Sequence, residues 1–466
     1  AGVGKDGRLL AKDMHSYSNQ GAYASHGHAI AANGLTSWRL QYACPNIRGE
    51  AYTIYTNTPV GGAMRGYGIP QVCFAIESFM DDVANEIHMD PLEFRRKNLI
   101  QGYYEDAYLK PIAANTNGIF ECLEKGAEYI HWDEKRKEYA EQAGDVRKGV
   151  GMALFSYKTG VWPISLEIAG ARLSLNQDGS VQLMLGATEI GQGADTVFSQ
   201  MVAETLHTDM EHVHIKTVQD TDVSPFDTGA YASRQSFVTG TAVRHCAEIL
   251  RDKILAYAKT LLPEIDTREL TLKDNWIWAG DEQAISLAAL AEESYYSLTN
   301  SSVLTAEVSE QVKKNTIATG CCFAEVEVDI KLGKIKILHI INVHDSGKLL
   351  NPQLAEMQVH GGMSMGMGYG ISEQLILDEK TGRPLNGNLL DYKLMTMLDT
   401  PDIKADFVEL CDPMGPYGNK ALGEPPAIPC APAIRNAVLH ATGVAFYENP
   451  LTPQRLIDGF KKAGLI

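Results

Sequence analysis

The 466-residue chain lacks most of the features that announce a function. No run approaches the ~20 apolar residues that a membrane helix needs. The first residues, AGVGKDG, have no basic stretch leading into an apolar core, so no signal peptide is read there. The 8 cysteines are scattered. Only Cys321 and Cys322 are neighbours, and no C-x-x-C pair occurs. That pattern argues against a disulfide scaffold and against an iron–sulfur cluster held by this chain. It predicts reduced, mostly buried thiols and a cytoplasmic protein. Positive charge is scarce too: the formal net charge is -17. Such a balance repels nucleic acid and anionic membrane surfaces, and neither is expected as a partner.

The common catalytic signatures are missing as well. No G-x-x-x-x-G-K-[ST] loop, H-E-x-x-H or G-x-S-x-G occurs. The Gly-rich stretches "GQGAD" and "GMSMGMGYG" lack the spacing of a dinucleotide loop and read as packing. His26 and His28 alternate, as do His212 and His214, and alternation on a strand puts both rings on one face. No third ligand falls at a metal-site spacing, so no metal held directly by side chains is expected.

What is present reads as an α+β protein of mixed helices and antiparallel hairpins. A chain this long exceeds one core, so two domains are expected, 1–145 and 146–466. "GKDGRLLAKDMHSYSNQGAY" reads as the second half of a hairpin turning at Asp6-Gly7. A domain seldom begins at such a turn, so an amino-terminal partner segment is expected. "GARLSLNQDGSVQLMLGA" is the clearest hairpin, and "FAEVEVDIKLGKIKILHIINVHD" is another. Helical spacing runs from Pro70 to Ile87. A second helix starts after Asp90, with Pro91 at its first position and Glu93 completing a capping box. Glu134 to Lys148 reads as an exposed helix or linker. Further helices are predicted over 195–206 and about 241–262, with a strand over 213–218. "MQVHGGMSMGMGYG" reads as a tightly packed helix or turn, and the last helix is placed at 433–442.

One segment is different in kind. In "GNKALGEPPAIPCAPA", Glu424 stands between Gly423 and Pro425-Pro426. Two prolines stiffen the backbone behind the carboxylate, and the glycine permits close approach. Such a loop suits a general base, and it suits a surface turn capping the next helix equally well.

The segment "GNKALGEPPAIPCAPAIRNAV" resembles the carboxy-terminal signature of the xanthine dehydrogenase and aldehyde oxidase family. "NIRGEAYTIYTNTPVGGAMRGYGIPQ", "GATEIGQGADT", "AYASRQSFVTGTAV" and "AEMQVHGGMSMGMGYG" resemble it too, in the family's order. The resemblance covers nearly the whole chain. It implies the cofactor-binding fold of the family's large subunit. Residues 1–145 would then be the remainder of a first molybdenum-cofactor domain, and 146–466 a second.

The resemblance also implies an activity: oxygen from water inserted at an electron-poor carbon. The substrate it implies is a purine or other N-heterocycle, xanthine or hypoxanthine first, with an aldehyde or nicotinate-like acid as the alternative. An inactive, cofactor-free fragment or assembly module is the competing reading. The cofactor would be molybdenum on a pterin dithiolene, as molybdopterin or its cytosine dinucleotide. Iron–sulfur clusters and FAD would sit on partner chains of an oligomer. Glu424 matches the catalytic glutamate. Gly191 and Gln192, Ala232 and Ser233, Gln358, Lys420 and Arg65 match cofactor contacts, and Arg65 and Tyr67 match substrate contacts. Three departures stand out. Asn33 lies where animal xanthine enzymes carry a substrate-binding arginine, and Tyr67 replaces a phenylalanine. A second substrate-binding glutamate and a Gly-Gly-Phe segment fall before this chain begins.

Overall fold

The structure is a computed structural model that describes residues 1–105, 111–113, 116–216 and 219–466. The chain forms two compact units. The first comprises Ala1–Tyr157, Ile317–Asp412 and Leu422–Ile466, and the second Lys158–Thr316 with Pro413–Ala421. Among the described residues, no helix is long and apolar enough to cross a membrane. Seven of the eight thiols are buried and all are free.

The first unit is built on a four-stranded sheet in the order Asp402–Phe407, Lys334–Asp345, Ile317–Asp329, Val146–Lys158. Its centre is the hairpin expected around Gly333, paired antiparallel from Thr319↔Asp345 to Asp329↔Lys334. These strands are buried on both faces, which explains their near-continuous apolar sequence. Helix Cys430–Thr442 lies against them with 12 of its 13 residues buried. Gly149 and Gly151 permit that approach, because a Cβ on either would strike the backbone around Ala437.

A separate three-stranded sheet joins Gly2–Val3, Leu9–Gly21 and Asn46–Tyr55. Its last two strands run parallel, so a crossover is required. Helix Gly27–Leu40 supplies it. Helix Ile69–Glu86 starts with Pro70 in its first turn, and Asp90 caps Pro91–Asn98 through Leu92 N and Glu93 N. The capping box is incomplete: Glu93 pairs with Arg96 instead. Where those two helices meet, a fully buried guanidinium is satisfied on every side. Arg95 donates to Glu77 Oε2 (2.9 Å), Asp81 Oδ1 (2.6 Å) and Glu77 O (2.9 Å). Buried charge is tolerated only when paired and hydrogen-bonded in this way.

The second unit has a four-stranded sheet in the order Thr305–Gln311, Ile168–Leu175, Val181–Leu185, Val213–Ile215. Its first hairpin is the one read at Asp178-Gly179. Helices Ala194–Leu206 and Gly240–Leu261 accompany it, and a three-stranded meander covers Leu270–Ser286. Mixed helices and mostly antiparallel hairpins make the α+β class plain.

Some local expectations give way. His26 and His28 lie at the start of helix Gly27–Leu40, not on a strand, and His212 ends a short 3-10 turn before His214. Small and polar residues such as Asn33 and Gly34 hid that helix, since both lower helix propensity. The helix expected at 433–442 begins three residues earlier, and another, Pro453–Lys462, follows it. The strand expected over 213–218 is seen as Val213–Ile215, and its final two positions lie outside the described residues.

Candidate functional site

The Glu424 turn belongs to the first unit. Gly423 and Glu424 are half-buried, and Pro425–Ala427 form one 3-10 turn leading into helix Cys430–Thr442. Three contacts immobilise it. Asn342, buried on the central hairpin, donates from Nδ2 to Pro426 O at 2.9 Å. Helix Pro352–Ile371, the Gly- and Met-rich segment, packs on it from another direction. A Cβ at Gly362 would collide with Pro426, and one at Gly366 would lie 2.8 Å from Cys430 Cβ and 2.9 Å from Ala427 O. The third contact is Arg65, whose Nε donates to Gly423 O at 2.6 Å.

Arg65 also ties in Gln358, donating from Nη2 to its backbone oxygen at 2.9 Å and to Oε1 at 3.4 Å. Burial pushes the Arg65 guanidinium down from its usual range, and nearby Glu424 works against that shift. Its donors go largely to backbone carbonyls, so it fastens the Gln358 helix to the Glu424 turn. The structure thus brings Arg65, Gln358 and Glu424 together in one cluster.

Tyr157 joins this cluster, a residue with no signal in the sequence because it stands near the end of a strand that is otherwise apolar from Gly149 to Phe155. Its side chain is buried and hydrogen-bonds Glu424. Burial first, and Glu424 second, lift its hydroxyl well above the usual tyrosine range. Tyr157 therefore keeps its proton and donates to the carboxylate. His344 is a second group outside the family match. It is fully buried, neither ring nitrogen has a hydrogen-bond partner, and burial and Arg65 push it down to about 3.

Tyr67 follows Arg65 on a loop that leads into helix Ile69–Glu86. Gly66, Tyr67 and Gly68 have φ of 97°, 50° and 87°, a left-handed run that only glycine adopts without strain. Asn33 Nδ2 donates to Tyr67 O at 2.9 Å, and the Tyr67 hydroxyl lies 2.7 Å from His26 Nδ1. Asn33 therefore braces the Tyr67 loop.

The second unit holds the other expected residues. Gly191 and Gln192 sit on a loop tied by Glu189, which accepts from Gly191 N (2.6 Å), Gly193 N (3.1 Å) and Asp195 N (3.1 Å). Burial opposes ionisation of Glu189, but those backbone donors win and hold it below the usual carboxylate range. Gln192 Nε2 donates to Thr188 O (3.0 Å) and Gln235 Oε1 (2.5 Å). Both its amide protons are thus occupied, and donation to a ligand would require one of them to turn.

Ala232 and Ser233 are left-handed at φ 50° and 48°, two consecutive non-glycine residues in a costly region. Arg234 holds them there. Its buried guanidinium reaches Glu167 Oε2 (2.5 Å), Asp227 Oδ1 (2.6 Å), Gly229 O (3.0 Å) and Ile168 O (2.9 Å). Lys420 is buried on the segment Pro413–Ala421, which Ala421 N anchors to Thr159 Oγ1 at 3.0 Å.

Among the described residues no three His, Cys, Asp or Glu side chains gather to hold a metal ion. The strained backbone at Ala232-Ser233 and the open space where a Gly191 side chain would stand suit a bulky polar ligand.

Two family models, both described as molybdopterin cofactor-binding domain, match residues 1–99 and 125–401. The xanthine dehydrogenase molybdenum-binding subunit of Escherichia coli O157:H7 is 47% identical over 470 residues, which is 100% of this chain and 62% of that one. The nicotine 6-hydroxylase large subunit of Paenarthrobacter nicotinovorans is 26% identical, over 98% and 58% of the two chains. Quinoline 2-oxidoreductase from Pseudomonas putida 86 shares the fold with a TM-score of 0.90 at 23% identity, covering 98% of this chain and 61% of that one. Aldehyde oxidoreductase from Desulfovibrio gigas superposes with a TM-score of 0.81 at 25% identity, over 98% and 48%. The chain spans about 62% of the length of that Escherichia coli subunit.

Proposed function

The chain belongs to the molybdopterin cofactor-binding domain family, and we propose that it serves a molybdenum hydroxylase with Glu424 as general base. The observation that carries this reading is the way Glu424 is held. A carboxylate on a Gly-Pro-Pro turn is fixed by Asn342, Arg65 and the Gly362 helix, and takes a hydrogen bond from Tyr157. A base so fixed needs no reorganisation when it accepts a proton. When bound, the molybdenum pterin supplies the two-electron redox chemistry that no side chain here can.

The protein's part is to place the reacting groups and to take up a proton. Glu424 accepts the proton released as water-derived oxygen joins the substrate carbon. Tyr157 steadies the carboxylate, and Arg65 holds Gln358 and the turn in register. In the second unit, Gly191, Gln192, Ala232, Ser233 and Lys420 would supply polar contacts to the pterin and its phosphate. Reducing equivalents would leave through an iron–sulfur chain and an FAD chain. An N-heterocycle, xanthine or hypoxanthine first, is the proposed substrate.

The test is Glu424→Gln in the assembled enzyme. Removing a positioned base costs roughly 10²–10⁴ in turnover. Molybdenum and pterin content should match the native protein. Native-like turnover in that variant would refute the base assignment. A native enzyme that oxidised benzaldehyde but no heterocycle would move the substrate to the aldehydes.

A further inference from the structure

We propose that His26 and Tyr67 form a paired substrate-recognition edge, one that selects heterocycles carrying a lactam, –NH–C(=O)–. This inference rests on the hydroxylase reading for the chemistry it serves, and on the His26–Tyr67 geometry for itself.

Helix Gly27–Leu40 carries both residues that act on Tyr67. His26 precedes its first residue and Asn33 lies seven positions on, two turns along the same face. Asn33 takes the backbone of Tyr67 and His26 takes its side chain. The rings meet edge to face, with centroids 5.8 Å apart and planes at 89°. A Cβ on Gly68 would strike Ile30 O, so helix and loop are in direct contact. Tyr67 is therefore held at both ends in a left-handed conformation that a free loop would leave. Strain maintained so deliberately marks functional positions. The same loop is clipped through Arg65 to Gly423, the residue before the proposed base.

The pair's hydrogen-bonding capacity follows from its one internal bond. If the tyrosine hydroxyl donates to Nδ1, the neutral imidazole carries its proton on Nε2. The pair then offers an N–H donor and the phenolic oxygen as acceptor. If Nδ1 donates instead, the hydroxyl proton is released outward and Nε2 becomes the acceptor. In both tautomers one donor and one acceptor remain. Among the described residues, His26 Nε2 has no protein partner. A lactam edge, with its carbonyl oxygen beside its N–H, complements this pair in either state. An aldehyde on a benzene ring offers no N–H and gains at most half of it. Asn33, in turn, spends its amide on the Tyr67 backbone.

The experiment compares native enzyme, His26→Leu, His26→Gln and Tyr67→Phe, each assembled with its partner chains. Xanthine and hypoxanthine are run against benzaldehyde with an artificial electron acceptor. Binding of xanthine to each variant is also measured by calorimetry in a Glu424→Gln background, where turnover does not interfere. One neutral hydrogen bond is worth about 0.5–1.5 kcal/mol, or roughly 2–13-fold. His26→Leu should therefore raise KM and Kd for the lactam substrates severalfold, toward 10-fold, with kcat within about twofold. Benzaldehyde kinetics should not move. His26→Gln, which keeps a donor and an acceptor, should restore most of the affinity, and Tyr67→Phe should lose it. Unchanged xanthine affinity in His26→Leu overturns the inference. So does an equal loss for benzaldehyde, which would make His26 only a support for the loop. A Glu424→Gln enzyme that still turns over would sink the base assignment alone, because the binding contrast at His26 is read separately.

Discussion

Two histidines, His344 fully buried and His440 half-buried, should make the first unit lose stability as the pH falls from 8 to 5. Burial, with Arg65 nearby, holds His344 at about 3, and burial, with Arg136 nearby, holds His440 at about 4. Both values lie below the ~6.5 of an unfolded histidine. Between the folded and unfolded values the unfolded chain binds more protons, so stability rises with pH across that window and is lost on acidification. At pH 5 each unfolded histidine is almost fully protonated while each folded one is neutral. The linkage then costs about 2 kcal/mol per histidine, about 4 kcal/mol together. In a unit of this size that lowers the thermal midpoint by several degrees. The acidic chain pushes the other way, because acidification relieves repulsion among its carboxylates. The decisive measurement is therefore a comparison with His344→Phe/His440→Asn. Phenylalanine suits the ring's place beside Phe155 and Phe407, and asparagine preserves an acceptor for Val150 N. The double variant should lose ~4 kcal/mol less than the native chain between pH 8 and pH 5, in urea unfolding followed by circular dichroism. The same pH dependence in both proteins would refute the argument.

Gly362→Ala should destabilise by about 1–3 kcal/mol, since its methyl would overlap Pro426 Cβ, part of a rigid ring, with backbone of Pro426 and Ala427 close behind. Turnover should fall further than stability predicts, because Pro426 is two residues from the proposed base; an unchanged midpoint and rate would show that the helix yields freely. Arg234→Met should cost about 3–5 kcal/mol by leaving Glu167 and Asp227 buried without their cation. It should also release Ala232-Ser233 and reduce pterin content, read by metal analysis and cofactor fluorescence after denaturation; full cofactor loading would separate the loop from the cofactor. Tyr157→Phe removes the donor to Glu424 and should alter the pH profile of kcat/KM while leaving xanthine affinity alone. Superimposable profiles would remove Tyr157 from the mechanism.

The sequence revealed local order well and long-range order poorly, for physical reasons. Asp178-Gly179 and Gly333 marked their hairpins because a tight turn needs particular residues at particular places. Asp90-Pro91 marked a helix start for the same reason, and both elements are where those residues put them. Helix Gly27–Leu40 was missed because packing against the loop before Ile69 stabilises it more than its own propensities do. The candidate site was legible only as a list of residues matched to a family, since each motif alone was ambiguous. Tyr157 left no trace, because a polar residue near the end of an apolar strand looks the same whether it serves a site or merely fills a core. The Gly–Met helix was read as packing, and packing is its role. What the sequence did not disclose is that the packing is against the Glu424 turn.

Arg65 explains why motifs so far apart can act together. Its guanidinium joins positions 293 and 358 residues away, at Gln358 and Gly423. Closing loops of that length costs little more than closing short ones, because the entropy grows only with the logarithm of length. The harder task is to hold the three segments to within a fraction of an ångström once they have met. Arginine suits it because a rigid planar fork can grip two carbonyls in one fixed geometry, whereas a lysine would present a single movable point charge. Burial then removes competing water, and the same burial tends to strip the guanidinium of its proton, a tendency the Glu424 carboxylate counteracts. The base and the clamp therefore support one another: Arg65 positions the turn that carries Glu424, and Glu424 favours the charge that lets Arg65 grip. Arg65→Lys should accordingly impair placement of Glu424, and with it kcat, more than it impairs folding.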